Sequence, residues 1–276
     1  MPIELARRVA ARLVAVPGVV AVVLGGSHAR GAAATGSDVD LGLYYDPADP
    51  PLIAALNAVA HALDDRRPTE AVTGFGAWGP WINGGAWLTI DGERVDWLFR
   101  DLARVRRVVA ACRAGRPEIA YQGGHPHAFV SAIYLGELDC CVPLADPSDA
   151  VAELKTLVRP YPPLLRRALV HTFLFEAGFS LDGAHKGALR GDVVYVAGCV
   201  YRSIAALTQV LFAANERYCT NEKGALREVE GFPRRPDAFV ATATRCLAAP
   251  GDSPAALERT IAAVRALVDA VGALAG

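Results

Sequence analysis

One short stretch near the N-terminus constrains this chain more than any other. It reads Leu24-Gly25-Gly26-Ser27-His28-Ala29-Arg30-Gly31 and, after a few small residues, Ser37-Asp38-Val39-Asp40-Leu41. The apolar run 19–24 predicts a buried strand that ends in the Gly-Gly-Ser turn. A second apolar run continues through Tyr45 and carries two aspartates one residue apart. Side chains at i and i+2 of a strand share a face. Asp38 and Asp40 therefore stand side by side, with Val39 and Leu41 packed beneath. Carboxylates that close repel each other unless a cation lies between them. The pattern predicts a divalent-metal site with a phosphate-binding turn one element upstream. The alternative is that Asp38 caps a turn after Gly36-Ser37 while Asp40 and a later acid, Asp96, pair with arginines.

A third acid points the same way. Asp96 sits inside the apolar run Val95-Asp96-Trp97-Leu98, where an unpaired carboxylate is costly to bury. A metal held by Asp38 and Asp40 on a neighbouring strand supplies its cation, so the predicted ligand set is Asp38, Asp40 and Asp96. Magnesium suits a few carboxylates completed by phosphate oxygens and water, and two such ions can serve one phosphoryl-type displacement.

Around these residues the pattern is α+β. Residues 3–16 form an amphipathic helix stopped by Pro17-Gly18, and a short helix over 27–34 has Ser27 as its N-cap. A helix covers 51–66. Runs 86–90 and 94–99 alternate around Asp91-Gly92 as a hairpin, and 101–114 is helical. From about residue 127 only helical patterns appear: 128–140, 149–158, 162–180, 185–218, 236–247 and 254–274. The expectation is an α+β domain, a mixed sheet flanked by helices, over 1–118. An all-α helical bundle follows over 119–276, with the boundary in the loop 115–127.

Composition excludes some functions. A net charge of -1 with 53% hydrophobic residues gives no long basic footprint for nucleic acid. Charges interrupt each apolar run, so none is expected to span a membrane. The N-terminus lacks the apolar core of a signal peptide, and the six cysteines have no metal or framework spacing. Reduced thiols in a cytoplasmic protein are the expectation. Lysine is confined to Lys155, Lys186 and Lys223 amid abundant arginine, so each lysine marks a place where a compact ammonium is useful.

Gly26-Ser27, Arg30-Gly31 and Ser37-Asp38-Val39-Asp40-Leu41 together resemble the signature of the DNA polymerase β-like nucleotidyltransferase superfamily. The likeness runs from about Val20 to Tyr45, and Asp96 fits the expected third acid. It implies metal-dependent transfer of a nucleoside monophosphate with release of pyrophosphate. By this resemblance Ser27 and the amides of the Gly26-Ser27 turn hold the terminal phosphates, Asp38 and Asp40 bridge metal to triphosphate, and Asp96 completes the catalytic metal site. Ser37 is grouped with the nucleotide-binding residues, and Arg30, one helical turn after Ser27, reaches phosphate or lies on a solvated helix face. The cofactors implied are two Mg2+ ions, with Mn2+ as the substitute, and an NTP co-substrate, taken as ATP. Gly25 departs from the bulkier residue usual before the Gly-Ser pair. The whole chain is similar in arrangement to bacterial nucleotidyltransferase-domain proteins with a helical C-terminal half, such as aminoglycoside and lincosamide nucleotidyltransferases.

Residues farther along the chain extend the expected site. Lys186 and Arg190 lie four apart and share a helix face, suited to neutralising triphosphate unless that face is merely solvated. Lys223, in Thr220-Asn221-Glu222-Lys223-Gly224, contacts nucleotide or simply closes a polar turn. Glu176, inside Phe173-Leu174-Phe175-Glu176-Ala177, is the candidate general base for an acceptor hydroxyl, or else pairs with Arg167 or faces solvent. Trp78 and Trp81 belong to a lid or acceptor platform, or anchor their loop. Trp87 and Trp97 are expected in the core, and His125-Pro126-His127 reads as a loop. The expected reaction moves AMP from ATP to a hydroxyl of a small molecule, such as an antibiotic of aminoglycoside or lincosamide type. Toxin-like modification of tRNA or protein, and non-catalytic nucleotide binding, are the alternatives. A monomer or a homodimer fits equally.

Overall fold

The computed structural model describes residues 2–275. They divide into two compact units. The first comprises the chain up to Ala111 together with Ile119–Gly124 and Ala128–Pro160. The second comprises Cys112–Glu118, His125–His127 and the chain from Tyr161 onward. The division near residue 160 corrects the expected boundary at 118. The reason is a strand, beyond that boundary, that belongs to the sheet of the first unit.

In the first unit the elements are α1 (Pro2–Leu13), β1 (Val19–Leu24), α2 (Gly26–Ala29), β2 (Val39–Tyr45), α3 (Ile53–Leu63), β3 (Gly85–Ile90), β4 (Glu93–Asp101) and α4 (Leu102–Arg113). Then come β5 (Ile119–Ala120), β6 (Phe129–Val130), α5 (Ile133–Cys140), β7 (Val142–Ala145) and α6 (Ala150–Leu157). The main sheet has the order β3-β4-β2-β1-β7. β2 and β4 run parallel, and the other neighbours are antiparallel. The sequence pattern shows only helices beyond residue 127, and two short strands correct it. β6 takes the start of the expected helix 128–140, and β7 lies between two helices. β7 is an edge strand, where Pro143 is tolerated opposite Val23 because an edge does not need every ladder donor. The Asp91-Gly92 hairpin is as expected: Ile90 pairs with Glu93, and both turn residues have positive φ.

Strand alternation sorts the two faces of this sheet. Val39, Leu41 and Leu43 of β2, and Val95, Trp97 and Phe99 of β4, are buried in one core with Leu5, Val9 and Leu13 of α1 and Leu56 and Ala60 of α3. Burying such side chains is worth about 1.5–3 kcal/mol each, which fixes the register. A one-residue slip would turn the acids of the opposite face into this core. On that opposite face Arg100 is buried against α5, where its Nε and Nη2 donate to the two carboxylate oxygens of Glu137 at 2.7 and 2.6 Å. Lys155 Nζ donates to the Leu138 and Cys141 carbonyls at 2.7 Å and to Asp139 O at 3.1 Å. One scarce lysine thus closes the C-terminal end of α5.

The second unit is helical: α7 (Pro163–Ala188), α8 (Val193–Ala214), α9 (Ala225–Glu230), α10 (Phe239–Ala248) and α11 (Pro254–Ala275). Leu181, Ala184, Val196, Val200, Ile204, Leu257, Ile261 and Val264 share its core. α8 is long and apolar enough to cross a membrane by length and composition, which corrects the expectation that no run would be. Of its most apolar window, 67% is buried inside the fold.

Candidate nucleotide and metal site

The Gly-Gly-Ser turn forms where predicted, but the helix after it begins one residue earlier. α2 starts at Gly26 with Gly25 as its N-cap, and no side chain caps it. Ser27 is therefore inside α2 rather than its cap. Gly25 N donates to Asp40 O at 2.8 Å, which ties the turn to β2. Gly26 has φ +59°, and a Cβ built there would stand 1.7 Å from Asp40 Oδ2. Only glycine lets the turn close over that carboxylate.

Asp40 and Asp96 are register partners on the parallel strands β2 and β4, so their side chains share the sheet face opposite the core. Burial and the neighbouring Asp38 push the Asp40 carboxyl above its usual range. Burial, then Asp40 and Asp38, push Asp96 up to about 6. Each acid thus feels the others. Neither Asp40 nor Asp96 has an ion-pair partner among the described residues, whereas Asp38, just before β2, is paired with Arg94. Arg94 also donates to Gly36 O at 2.7 Å. Arg94 stands two residues before Asp96 on one strand, on the same face, a signal that period-2 counting would have picked out. Among the described residues no three His, Cys, Asp or Glu side chains are gathered so as to hold a metal ion, so the expected Asp38, Asp40 and Asp96 set is not assembled here; Asp38 is engaged by Arg94 instead. Two half-buried carboxylates without a counter-ion offer hard oxygen donors of the kind Mg2+ takes, so the residues fit the ion.

The other predicted residues fall as follows. Ser37 Oγ accepts from Ala34 N at 3.0 Å, so it closes its own turn. His28 Nε2 lies 3.3 Å from Ser37 O. Arg30 is the exposed C-cap of α2, and its charge lowers the Asp40 carboxyl's affinity for a proton. Trp97 is in the core, as expected. Trp81 is buried too, stacked on Phe129 with centroids 5.0 Å apart, and its carbonyl accepts from the Tyr134 hydroxyl at 2.6 Å. It anchors its loop. Trp87 departs from the expected core position: it is 63% exposed and stacks on Trp78.

In the second unit, Lys186 lies at the end of α7 rather than at the start of a long helix, and Arg190 lies beyond that end. α7 ends at Ala188, before Arg190 is reached, and the chain then turns at Gly191, with φ +67°, and restarts at Asp192, whose side chain accepts from Tyr195 N at 3.1 Å. Lys223 is exposed in the polar turn, its N donating to Asn221 Oδ1 at 2.8 Å. Glu176 pairs with neither Arg167 nor solvent. Its Oε1 accepts from His127 Nε2 at 2.8 Å and from Arg202 Nε at 2.7 Å. Burial pushes this carboxyl up, but the His127 hydrogen bond and the Arg202 charge outweigh it and leave it low. A carboxylate so tied is a poor base. The His125-Pro126-His127 loop supplies the buried His127, whose N also donates to Glu222 Oε1 at 2.7 Å.

Residues 4–69 match the family model of the nucleotidyltransferase domain. The match spans the glycine turn, Asp38 and Asp40, and it supports nucleotidyl transfer as the general activity and a transferase as the class of protein. The fold is similar to the crystal structure of a nucleotidyltransferase-like protein from Exiguobacterium sibiricum. That likeness covers 98% of this chain and 77% of the other, at 11% identity and a TM-score of 0.50. At that identity the likeness concerns the fold. No curated protein matches the chain.

Proposed function

We propose that this protein is a Mg2+-dependent nucleotidyltransferase that moves AMP from ATP to a hydroxyl of a small molecule and releases pyrophosphate. The observation that carries the proposal is the in-register Asp40–Asp96 pair, without an ion-pair partner among the described residues and closed over by Gly26. Asp38, Asp40 and Asp96 would hold the metal, which would neutralise triphosphate charge and favour ionisation of the attacking hydroxyl. The amides of Gly26 and Ser27 would meet the tail of the triphosphate, and Arg30 adds a positive charge beside it. Asp96 would also take the hydroxyl proton as the attack proceeds.

An acceptor of aminoglycoside or lincosamide type fits the arrangement of the chain, and cytoplasmic action fits the NTP requirement. A net charge of -1 weighs against a long RNA acceptor. The test is labelled ATP with Mg2+ and a panel of aminoglycosides, lincosamides and tRNA. Transfer to a small molecule by the wild type, abolished in a folded Asp40→Ala variant, is the expected result. ATP binding without pyrophosphate release across the panel, or undiminished transfer by Asp40→Ala, would refute it.

A further inference from the structure

We infer that the Trp78–Trp87 stack, exposed at Trp87, is the acceptor-binding platform, and that the acceptor therefore presents a ring next to its reacting hydroxyl. The inference rests on the transfer reaction proposed above. Across the sheet face that carries the acids, four features stand in strand order. The Gly25–Gly26 turn follows β1, Asp40 is on β2, Asp96 on β4 and Trp87 on the edge strand β3. Trp87 is the direct register partner of Asp96. Directly paired residues of antiparallel strands share a face, so the indole projects on the same side as the acids, one strand spacing, about 4.8 Å, beyond Asp96.

In-line displacement sets the direction of attack. The leaving pyrophosphate lies where the glycine turn is, at the β1 end of the row. The nucleophile enters opposite the leaving group, from the Asp96 and Trp87 end. The acceptor oxygen attacks the α-phosphorus, the bond from that phosphorus to the bridging oxygen breaks, pyrophosphate takes the electron pair, and the hydroxyl proton goes to Asp96. Whatever carries that hydroxyl lies over β3.

What it meets there is built, not incidental. The two indoles stack with centroids 4.3 Å apart and planes 18° from parallel. Trp78 is fixed from behind, since its carbonyl accepts from Gln122 Nε2 at 2.7 Å and its ring packs over Gly85. The loop that carries it is pinned by Asn83, which accepts from Gly76 N at 2.8 Å and donates to the Tyr45 hydroxyl at 2.7 Å. A large aromatic left 63% exposed beside a row of acids has no core to fill. Stacking a ring on such a face is worth about 1–3 kcal/mol, enough to orient an acceptor but not to bind it unaided.

The test uses the full chain with labelled ATP, Mg2+ and three acceptor probes at equal concentration: methyl α-D-glucopyranoside, 4-hydroxyphenethyl alcohol and glycerol. The wild type is expected to label a ring alcohol in preference to glycerol, the first two probes separating a sugar ring from an aromatic one. Trp87→Ala should raise KM for that ring alcohol roughly tenfold, the equivalent of a lost stack. Its Kd for Mg2+ with α,β-methylene-ATP should stay within about twofold, and Trp87→Phe should recover most of the acceptor KM. Trp78→Ala gives a second variant in which the indole of residue 87 is kept but unsupported, with an intermediate KM expected. Equal labelling of glycerol, unchanged KM in Trp87→Ala, or a loss confined to analogue binding overturns the platform. Failure of the wild type to bind the analogue at all instead refutes the transfer reaction itself.

Discussion

Asp40 and Asp96 face each other as register partners on parallel strands, and neither has an ion-pair partner among the described residues. Their burial, and after it the repulsion of the neighbouring acids, is a cost that the fold carries until a cation relieves it. For Asp96 the folded-state carboxyl is raised to about 6 from 3.8, so the folded protein holds that proton more tightly than the unfolded chain. Stability without metal should rise as pH falls through about 6, and the charged form should burden the fold above it. Asp96→Asn removes the burden. In chelator its melting temperature should exceed that of the wild type at pH 7.5, and the gap should close towards pH 5. Added Mg2+ should raise the wild-type melting temperature and leave Asp96→Asn unmoved. A variant less stable than the wild type in chelator at pH 7.5 would contradict this.

Gly26 tests the turn. With φ at +59° and Asp40 Oδ2 only 1.7 Å from where a Cβ would stand, the position has no room for a side chain. Gly26→Ala should cost about 1–2 kcal/mol in left-handed backbone strain and push the Asp40 carboxylate aside. Displacing a reacting group by about 1 Å costs on the order of a hundredfold in rate. Thermal denaturation and pyrophosphate release read the two effects separately.

Arg94 is the counter-ion that Asp38 uses in this structure. The pair is exposed enough to be worth at most about 1 kcal/mol. Arg94→Gln should free Asp38 and tighten Mg2+ binding up to about fivefold, measured by calorimetry at moderate salt. Weaker Mg2+ binding would show instead that Arg94 supports the metal site.

Arg100 and Glu137 hold α5 against the sheet. Glu137→Ala leaves the buried guanidinium uncompensated and should cost about 3–5 kcal/mol in urea denaturation, whereas pairing Arg100→Met with Glu137→Leu should recover much of that loss. Equal losses in the single and double variants would mean that packing, not charge, holds the helix.

Much of the first unit is legible in the sequence because its signals are local. Period-2 alternation, the Gly-Gly-Ser turn and the Asp91-Gly92 hairpin each act within a few residues, and an acid in an apolar strand stands out without a partner in view. What stays hidden depends on distant contacts. β7 has four residues, one of them proline, and becomes a strand only beside β1. The break between α7 and α8 lies in a run that is apolar on both sides, and only Gly191 with the Asp192 cap marks it. An aromatic residue in a strand usually belongs to a core, but Trp87 lies on the sheet face opposite the buried Ala86, Leu88 and Ile90 and is exposed there. Period-2 spacing puts Arg94 on the face of Asp96, but its pairing with Asp38, far away in sequence, also needs the β2–β4 register.

Glu176 shows the same limit and gives a last test. An acid in an apolar helix suggests a general base, yet this one accepts hydrogen bonds from His127 and Arg202. Its carboxyl is held below the usual 4.5 in spite of burial. A depressed carboxyl contributes stability above its unfolded value and loses it as pH falls through its folded one. The wild type should therefore lose stability on the acid side of pH 4.5, and Glu176→Gln should flatten that limb. Glu176→Ala should cost about 1–3 kcal/mol at neutral pH, because it strands the buried His127 donor. Nucleotidyl transfer per folded molecule should follow stability alone in both variants. A collapse of kcat in well-folded Glu176→Gln, with the acid limb unchanged, would restore the carboxylate to the chemistry and remove it from the scaffold.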